Sequence, residues 1–200
     1  MILWLAEIFF GFAVLTYIGS MLQKSREWLL FVLVVCDLCF ALYYLFLDCY
    51  AAMCFNVFEG ILVTCLYFFD KHKNNHTHVV VAACVVWCAD VLVTVLTWTG
   101  PLQILSFCAC SCFLLGLCLQ RLLVTKILAV VSVTLATTYW FCVSTVFNGL
   151  VGVCMLCGAV AGFVVTLLSE LKKRELQINH AKTVEQKTVR KIVVKKEKTA

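Results

Sequence analysis

The polar break Gln23-Lys24-Ser25-Arg26-Glu27, residues 23–27, separates an apolar run at 2–22 from the next at 28–47. A second break over 120–126 does the same between the runs 102–119 and 122–143. Working outward, the remaining apolar runs are 50–69, 79–99 and 145–168. A helix needs about 20 apolar residues to cross the hydrocarbon core, so seven transmembrane helices are predicted. With 64% hydrophobic and 14% charged side chains and one proline in 200 residues, a soluble globular domain is excluded. The spans leave no length for a separate enzymatic domain. A barrel is excluded as well, because runs this apolar lack the alternation of lipid-spanning strands.

Basic residues set the orientation. Lys24 and Arg26 follow the first span, Lys71 and Lys73 the third, and Arg121 and Lys126 bracket the start of the sixth; the other ten of the sixteen follow the seventh. Seven spans place all of them on one face, so the N-terminus is expected outside and the C-terminus in the cytoplasm. The first span has no basic leading region and no small-residue cleavage site, and is expected to remain in the mature protein. Residues 169–200 carry ten basic and four acidic side chains, a net +6. This tail is expected to be a solvated end, with 189–198 suited to contact with anionic lipid. It has no aromatic residue to stack on bases, so nucleic acid is not an expected partner.

The two breaks start 97 residues apart, and Tyr43-Tyr44 is matched by Tyr139-Trp140 at an offset of 96. In each half a tight turn and a third long helix follow. The pattern predicts an all-α integral membrane protein made of two parallel three-helix repeats joined by a linker helix, related about an axis along the membrane normal. Residues 1–69 would form the first bundle, 70–101 a cytoplasmic loop and the linker, 102–168 the second bundle and 169–200 the basic tail.

Several stretches carry a family resemblance: Trp4-Leu5-Ala6, Gly11 and Gly19, Lys24-Ser25-Arg26, the run Ala41-Leu42-Tyr43-Tyr44-Leu45-Phe46-Leu47, and Asn56. Over about residues 1–168 the chain resembles the bacterial YgjV-type inner-membrane protein family, within the wider SWEET and PQ-loop transporter superfamily. The resemblance implies a multi-pass protein of the bacterial cytoplasmic membrane. It also implies alternating access at a central cavity between the bundles, lined by an asparagine from the third helix of each, here Asn56 and Asn148. One departure stands out: SWEET-type bundles carry hinge prolines, whereas the first bundle here has none and Pro101 is the chain's single proline.

Polar groups held in hydrocarbon tend to face a bundle interior or a water-filled path. Asn56 and Glu59, three apart on one helix face, and Asn148 are the candidate solute-binding residues. The alternative for each is interhelical hydrogen bonding that serves packing. Asp37 and Asp90 have no basic residue at comparable depth, which makes them candidates for a proton-linked step, with a neutral hydrogen-bonded carboxyl as the alternative. Tyr43, Tyr44, Tyr139 and Trp140 are candidate gate residues, or part of an aromatic belt at the interface. The fourteen cysteines fall within or at the ends of spans, where free cysteine packs as a small apolar residue. No metal centre and no cofactor are expected; His72, His76 and His78 read as part of a solvated loop. Gly149, Gly152, Gly158 and Gly162 give the seventh span two small-residue faces for close packing.

No Ser/His, paired-aspartate or HExxH constellation occurs in the spans, so an enzyme is not expected. The absence of lysine between Lys126 and Lys172 excludes a retinal protein. The sequence reading is a facilitator for a small, mostly uncharged solute, sugar- or vitamin-like. The alternative is a non-transporting membrane protein with a structural or partner-binding role.

Overall fold

The computed structural model describes residues 2–72, 76–98, 100–119, 121–143 and 146–197. Among them the chain forms α1 (Ile2–Leu22), α2 (Arg26–Phe46), α3 (Tyr50–His72), α4 (His76–Leu96), α5 (Gln103–Cys118), α6 (Leu122–Val143) and α7 (Val146–Glu197). The breaks fall where the sequence places them because local chemistry ends each helix. Ser25 accepts a hydrogen bond from the Trp28 amide at 3.4 Å and starts α2. At the other end of α2, the Asp48 amide bonds Leu45 O at 3.2 Å and the Cys49 amide bonds Tyr44 O at 2.9 Å. That paired closure is a Schellman motif, and it places Asp48 at φ +57° in the position glycine usually takes.

Six helices are long and apolar enough to cross a membrane, while α5 is shorter, at 16 residues. At 1.5 Å per residue α5 spans about 24 Å, less than the roughly 30 Å hydrocarbon core. Its start is trimmed by the turn at Gly100 and Pro101, whose carbonyls accept from the Gln103 and Ile104 amides. The seventh helix departs in the other direction. It runs 52 residues and stays helical through the predicted tail. After Gly162 it meets neither glycine nor proline, and Leu, Lys, Glu, Gln and Arg sustain a helix.

Helix α2 packs on both α1 and α3, α5 packs on α6, and α4 touches α3 and α5 more sparingly. This is the pattern of two bundles and a linker. Trp87 of α4 fastens the linker to α5, donating from Nε1 to Ser111 Oγ at 3.0 Å and meeting the Phe107 ring at 5.9 Å between centroids. Leu29, Leu30 and Leu33 of α2 pack with Leu62, Val63 and Leu66 of α3 in the core, while Phe12, Leu15, Leu92 and Val95 are exposed. Such an inside-and-outside apolar surface suits lipid, where packing rather than water exclusion drives helix association. The chain divides into a compact unit over 1–164 and a second over 165–200.

The two glycine faces of α7 meet different neighbours. A Cβ at Gly149 or Gly152 would run into Phe141 or Thr137 of α6, and one at Gly158 or Gly162 into Ile18 or the Met21 carbonyl of α1. All fourteen cysteines are free thiols, and Cys36 donates weakly to Ala13 O at 3.4 Å.

Candidate solute cavity

A cavity of about 220 Å³ lies within the first unit and takes lining residues from all seven helices. Its lining repeats the internal symmetry of the sequence. Tyr17 and Phe113, Cys36 and Ser132, Asp37 and Val133, Phe40 and Ala136, Tyr44 and Trp140, and Glu59 and Met155 all line it, and each pair is 96 positions apart. Corresponding faces of the two halves therefore turn toward one space. The linker adds Thr94, and α5 adds Gln103, Ser106 and Cys110.

Of the candidate binding residues, Asn56 and Glu59 line the cavity together, as their three-residue spacing predicts. Asn56 commits one amide N–H to Ala52 O at 2.7 Å. Asp37, on α2, is also in the wall, 5% exposed, and its Oδ2 has no hydrogen-bond partner among the described residues. Its Cβ would lie only 3.3 Å from a Cβ built at Gly60, so the bare backbone there lets Asp37 settle beside Glu59. Asp37 and Glu59 are electrostatic neighbours, and Asp90 of α4 acts on Glu59 in turn. Asp90 itself is buried but stands outside the lining.

Asn148 is not in the lining. In the register of the six pairs it corresponds to Ala52, and Asn56 corresponds to Gly152. An amide cannot occupy position 152, because even a Cβ there would come within 2.6 Å of Thr137 Oγ1. The expected asparagine pair is thus one helical turn out of register. Of the four aromatic gate candidates, Tyr44 and Trp140 line the cavity. Tyr43 and Tyr139 lie outside the lining; Tyr43 makes tilted ring contacts with Phe10, at 4.7 Å between centroids, and with Tyr44, at 5.0 Å.

Tyr17 escapes a reading by composition, since one tyrosine in an apolar helix resembles an interfacial residue. It is 6% exposed and its hydroxyl, like Asp37 Oδ2, has no partner among the described residues. The signal that finds it is the 96-residue offset to Phe113.

The end of the molecule that holds the polar breaks is tied across the two halves. Arg26, at the start of α2, donates to Leu117 O at the end of α5 and to Thr125 Oγ1 at 3.3 Å. Thr125 in turn donates to Gly116 O at 2.7 Å. Lys126 of α6 reaches the other way, from Nζ to Gln23 O just past α1 at 2.6 Å and to Gly162 O of α7 at 3.3 Å. Placed from sequence among the basic residues at the start of the sixth span, Lys126 is 0% exposed. Cations suit Leu117 O and Gln23 O because carbonyls at a helix C-terminus are unpaired and carry the negative end of the helix dipole, whereas Gly162 O lies within α7. Among the described residues no set of three or more His, Cys, Asp or Glu side chains could hold a metal ion. The side chains of His72, His76 and residues 189–198 lie outside the described residues.

A multi-pass all-α architecture with an internal repeat and an interior cavity defines a membrane protein built from paired helical bundles. Residues 4–168 match the Imp-YgjV family, bacterial inner membrane proteins, and the chain belongs to that family. It is accordingly a multi-pass protein of the bacterial inner membrane. No curated protein and no solved structure matches the chain.

Proposed function

We propose that this protein moves a small solute across the inner membrane by alternating access, using the cavity as its binding site. The observation that carries this reading is the lining itself: six pairs of positions, equivalent under the internal repeat, surround one space. Two equivalent bundles around a shared site can rock against each other and expose it to either side, as in the SWEET-type layout the sequence resembles. A cavity of about 220 Å³ is below the roughly 300–1,000 Å³ of drug-sized sites, which suits a small metabolite. Orientation follows the basic residues, with the N-terminus outside and the Arg26–Lys126 end in the cytoplasm. In this reading the cross-bundle bonds of Arg26 and Lys126 hold the cytoplasmic end shut, while Tyr44 and Trp140, at equivalent positions of the two halves, form a gate toward the outside. With no proline in the first bundle, the rocking motion would pivot at the helix junctions.

Proteoliposome uptake tests it. Saturable entry of at least one solute from a panel of sugars, vitamins, amino acids and amines is expected, reduced about tenfold or more in Asn56→Ala and Glu59→Gln. Inert vesicles carrying demonstrably folded protein would refute it. A non-transporting role has one observation in its favour: Leu171, Leu176 and Ile178 are exposed on the charged extension of α7, where a partner could dock. Co-purification of a defined partner with inert vesicles would establish that reading instead.

A further inference from the structure

We infer that the solute is a small organic cation, an amine or quaternary ammonium with a short apolar body, held by Asp37 and Glu59 against an aromatic wall. The inference rests on the cavity being the solute site. In place of the neutral solute that amides alone suggest, the wall contributed by α2 and α3 presents two carboxyl groups to one cavity. No lysine, arginine or histidine stands among the lining residues to pair with them. An ionised carboxyl in so apolar a setting is held by a positive partner, and the described lining residues provide none.

A second, separate observation points to a ligand. Asp37 Oδ2 and Tyr17 OH belong to different helices, both side chains line the cavity, both are more than nine-tenths buried, and neither atom has a hydrogen-bond partner among the described residues. Buried polar atoms are nearly always satisfied, so two orphans on residues that line one cavity mark where a ligand's polar head goes.

The opposite wall specifies the rest of the molecule. At the positions equivalent to Tyr17, Asp37 and Glu59, the second half places Phe113, Val133 and Met155. Phe40, Tyr44, Phe107 and Trp140 add ring faces, which attract a desolvated cation as well as apolar groups. A metal ion is a poorer fit, since no three ligating side chains converge among the described residues. The second half also brings Gln103, Ser106 and Ser132 to the lining, so it is the carboxyls, not polarity in general, that are confined to one wall. A charged head toward them and a short body toward Phe113, Val133 and Met155 match this arrangement.

Equilibrium binding to the full chain in nanodiscs is the test, with labelled choline, tetramethylammonium and butylammonium as cations. The control is 3,3-dimethyl-1-butanol, which has choline's shape without its charge. At least one cation is expected to bind saturably, and the neutral isostere roughly tenfold or more weaker. Asp37→Asn and Glu59→Gln, near-isosteric and checked for monodispersity and helix content, should each weaken cation binding by a similar factor. Equal binding of the isostere, cation binding unchanged in both variants, or no cation binding to folded protein would each overturn the inference. Uptake measured separately keeps the two readings apart. Cation binding without uptake leaves the ligand class standing and removes transport, and sugar uptake without cation binding does the reverse.

Discussion

The two halves of this protein share a helix layout and a register of 96 residues, yet they supply the cavity with different chemistry. The first half contributes both carboxyls, the asparagine and a tyrosine hydroxyl without a partner among the described residues; at equivalent lining positions the second contributes Phe113, Ser132, Val133, Trp140 and Met155, and α5 adds the uncharged Gln103 and Ser106. The division extends beyond the cavity. Where α3 buries Leu62 and Leu66, α7 has Gly158 and Gly162, and where α2 buries Leu30, α6 has Lys126. A duplicated scaffold needs one half for each wall, and nothing obliges both walls to read the same end of a solute. Asymmetry of this kind lets a single ligand sit in one orientation at the interface of two similar bundles.

The strongest way to break this comparison is to give the second half the first half's packing. Gly162→Leu recreates in α7 the residue that α3 carries at Leu66, but its Cβ would enter the Met21 carbonyl of α1. Backbone, unlike a flexible side chain, cannot give way. A loss of about 3 kcal/mol or more is expected, read as failure to recover monodisperse protein; Leu66→Gly, by contrast, should leave a cavity and a lower melting temperature in a protein that still folds. Wild-type yield and melting temperature for Gly162→Leu would show that the close α1–α7 approach does not exist.

Next in size is Lys126→Met. Hydrogen bonds from charged groups contribute roughly 1.5–3 kcal/mol each, and this change leaves Gln23 O and Gly162 O without the donor. The methionine fills similar volume, so the expected loss is about 2 kcal/mol, measured as a lower melting temperature in detergent. Leu30→Met, at the equivalent position of the first half, should cost less than about 1.5 kcal/mol as a volume-conserving swap. Equal effects would mean that Lys126 serves as packing alone.

The polarity difference itself is sharpened by matched substitutions across the cavity. Asp37→Asn should reduce solute binding or uptake roughly tenfold or more, and Val133→Ala less than about threefold, since it removes only two methylene-sized groups from the apolar wall. A comparable loss from both would show that the walls act alike. Adding Val133→Asp to Asp37→Asn returns a carboxyl to the other half. Partial recovery is the expected result if the cavity is as symmetric in shape as the six pairs imply, and no recovery would tie the carboxyl's function to its place beside Glu59.

Much of this was legible in the sequence, and for definite reasons. Hydropathy located the helices to within a few residues, the end of α7 excepted, because short polar breaks such as 23–27 are costly in lipid and can sit only at helix ends. Asn56 and Glu59 shared a face because helical spacing is fixed. The misreadings came from features that composition does not encode. Asn148 was aligned with Asn56 by its place near the start of a third helix, whereas the true register differs by one turn and puts Gly152 there. The burial of Lys126 at the start of α6 was not anticipated because no hydropathy rule foresees an ammonium that serves the carbonyls of Gln23 and Gly162 at once. The one-sided placement of the carboxyls was already present in the 96-residue offset, but only the lining shows which offset pairs face inward.

The smallest expected effect concerns the turn that positions Asn56 and Glu59 below it. Asp48 occupies the left-handed region at φ +57°, where a side chain costs about 1–2 kcal/mol except for glycine and, in part, asparagine and aspartate. Aspartate is eased there because a short polar side chain bonds locally, and Asp48 Oδ1 accepts from Tyr50 OH at 3.1 Å. Asp48→Gly removes the backbone strain and also that bond, so a net gain of no more than about 1 kcal/mol is expected, while Asp48→Ala keeps the strain, loses the bond and should lower the melting temperature. The order Gly above Asp above Ala, measured on purified protein, is what the Schellman closure of α2 requires. If alanine proved as stable as glycine, the left-handed turn would not be what hands the chain from α2 to α3, and the placement of the polar wall would need another cause.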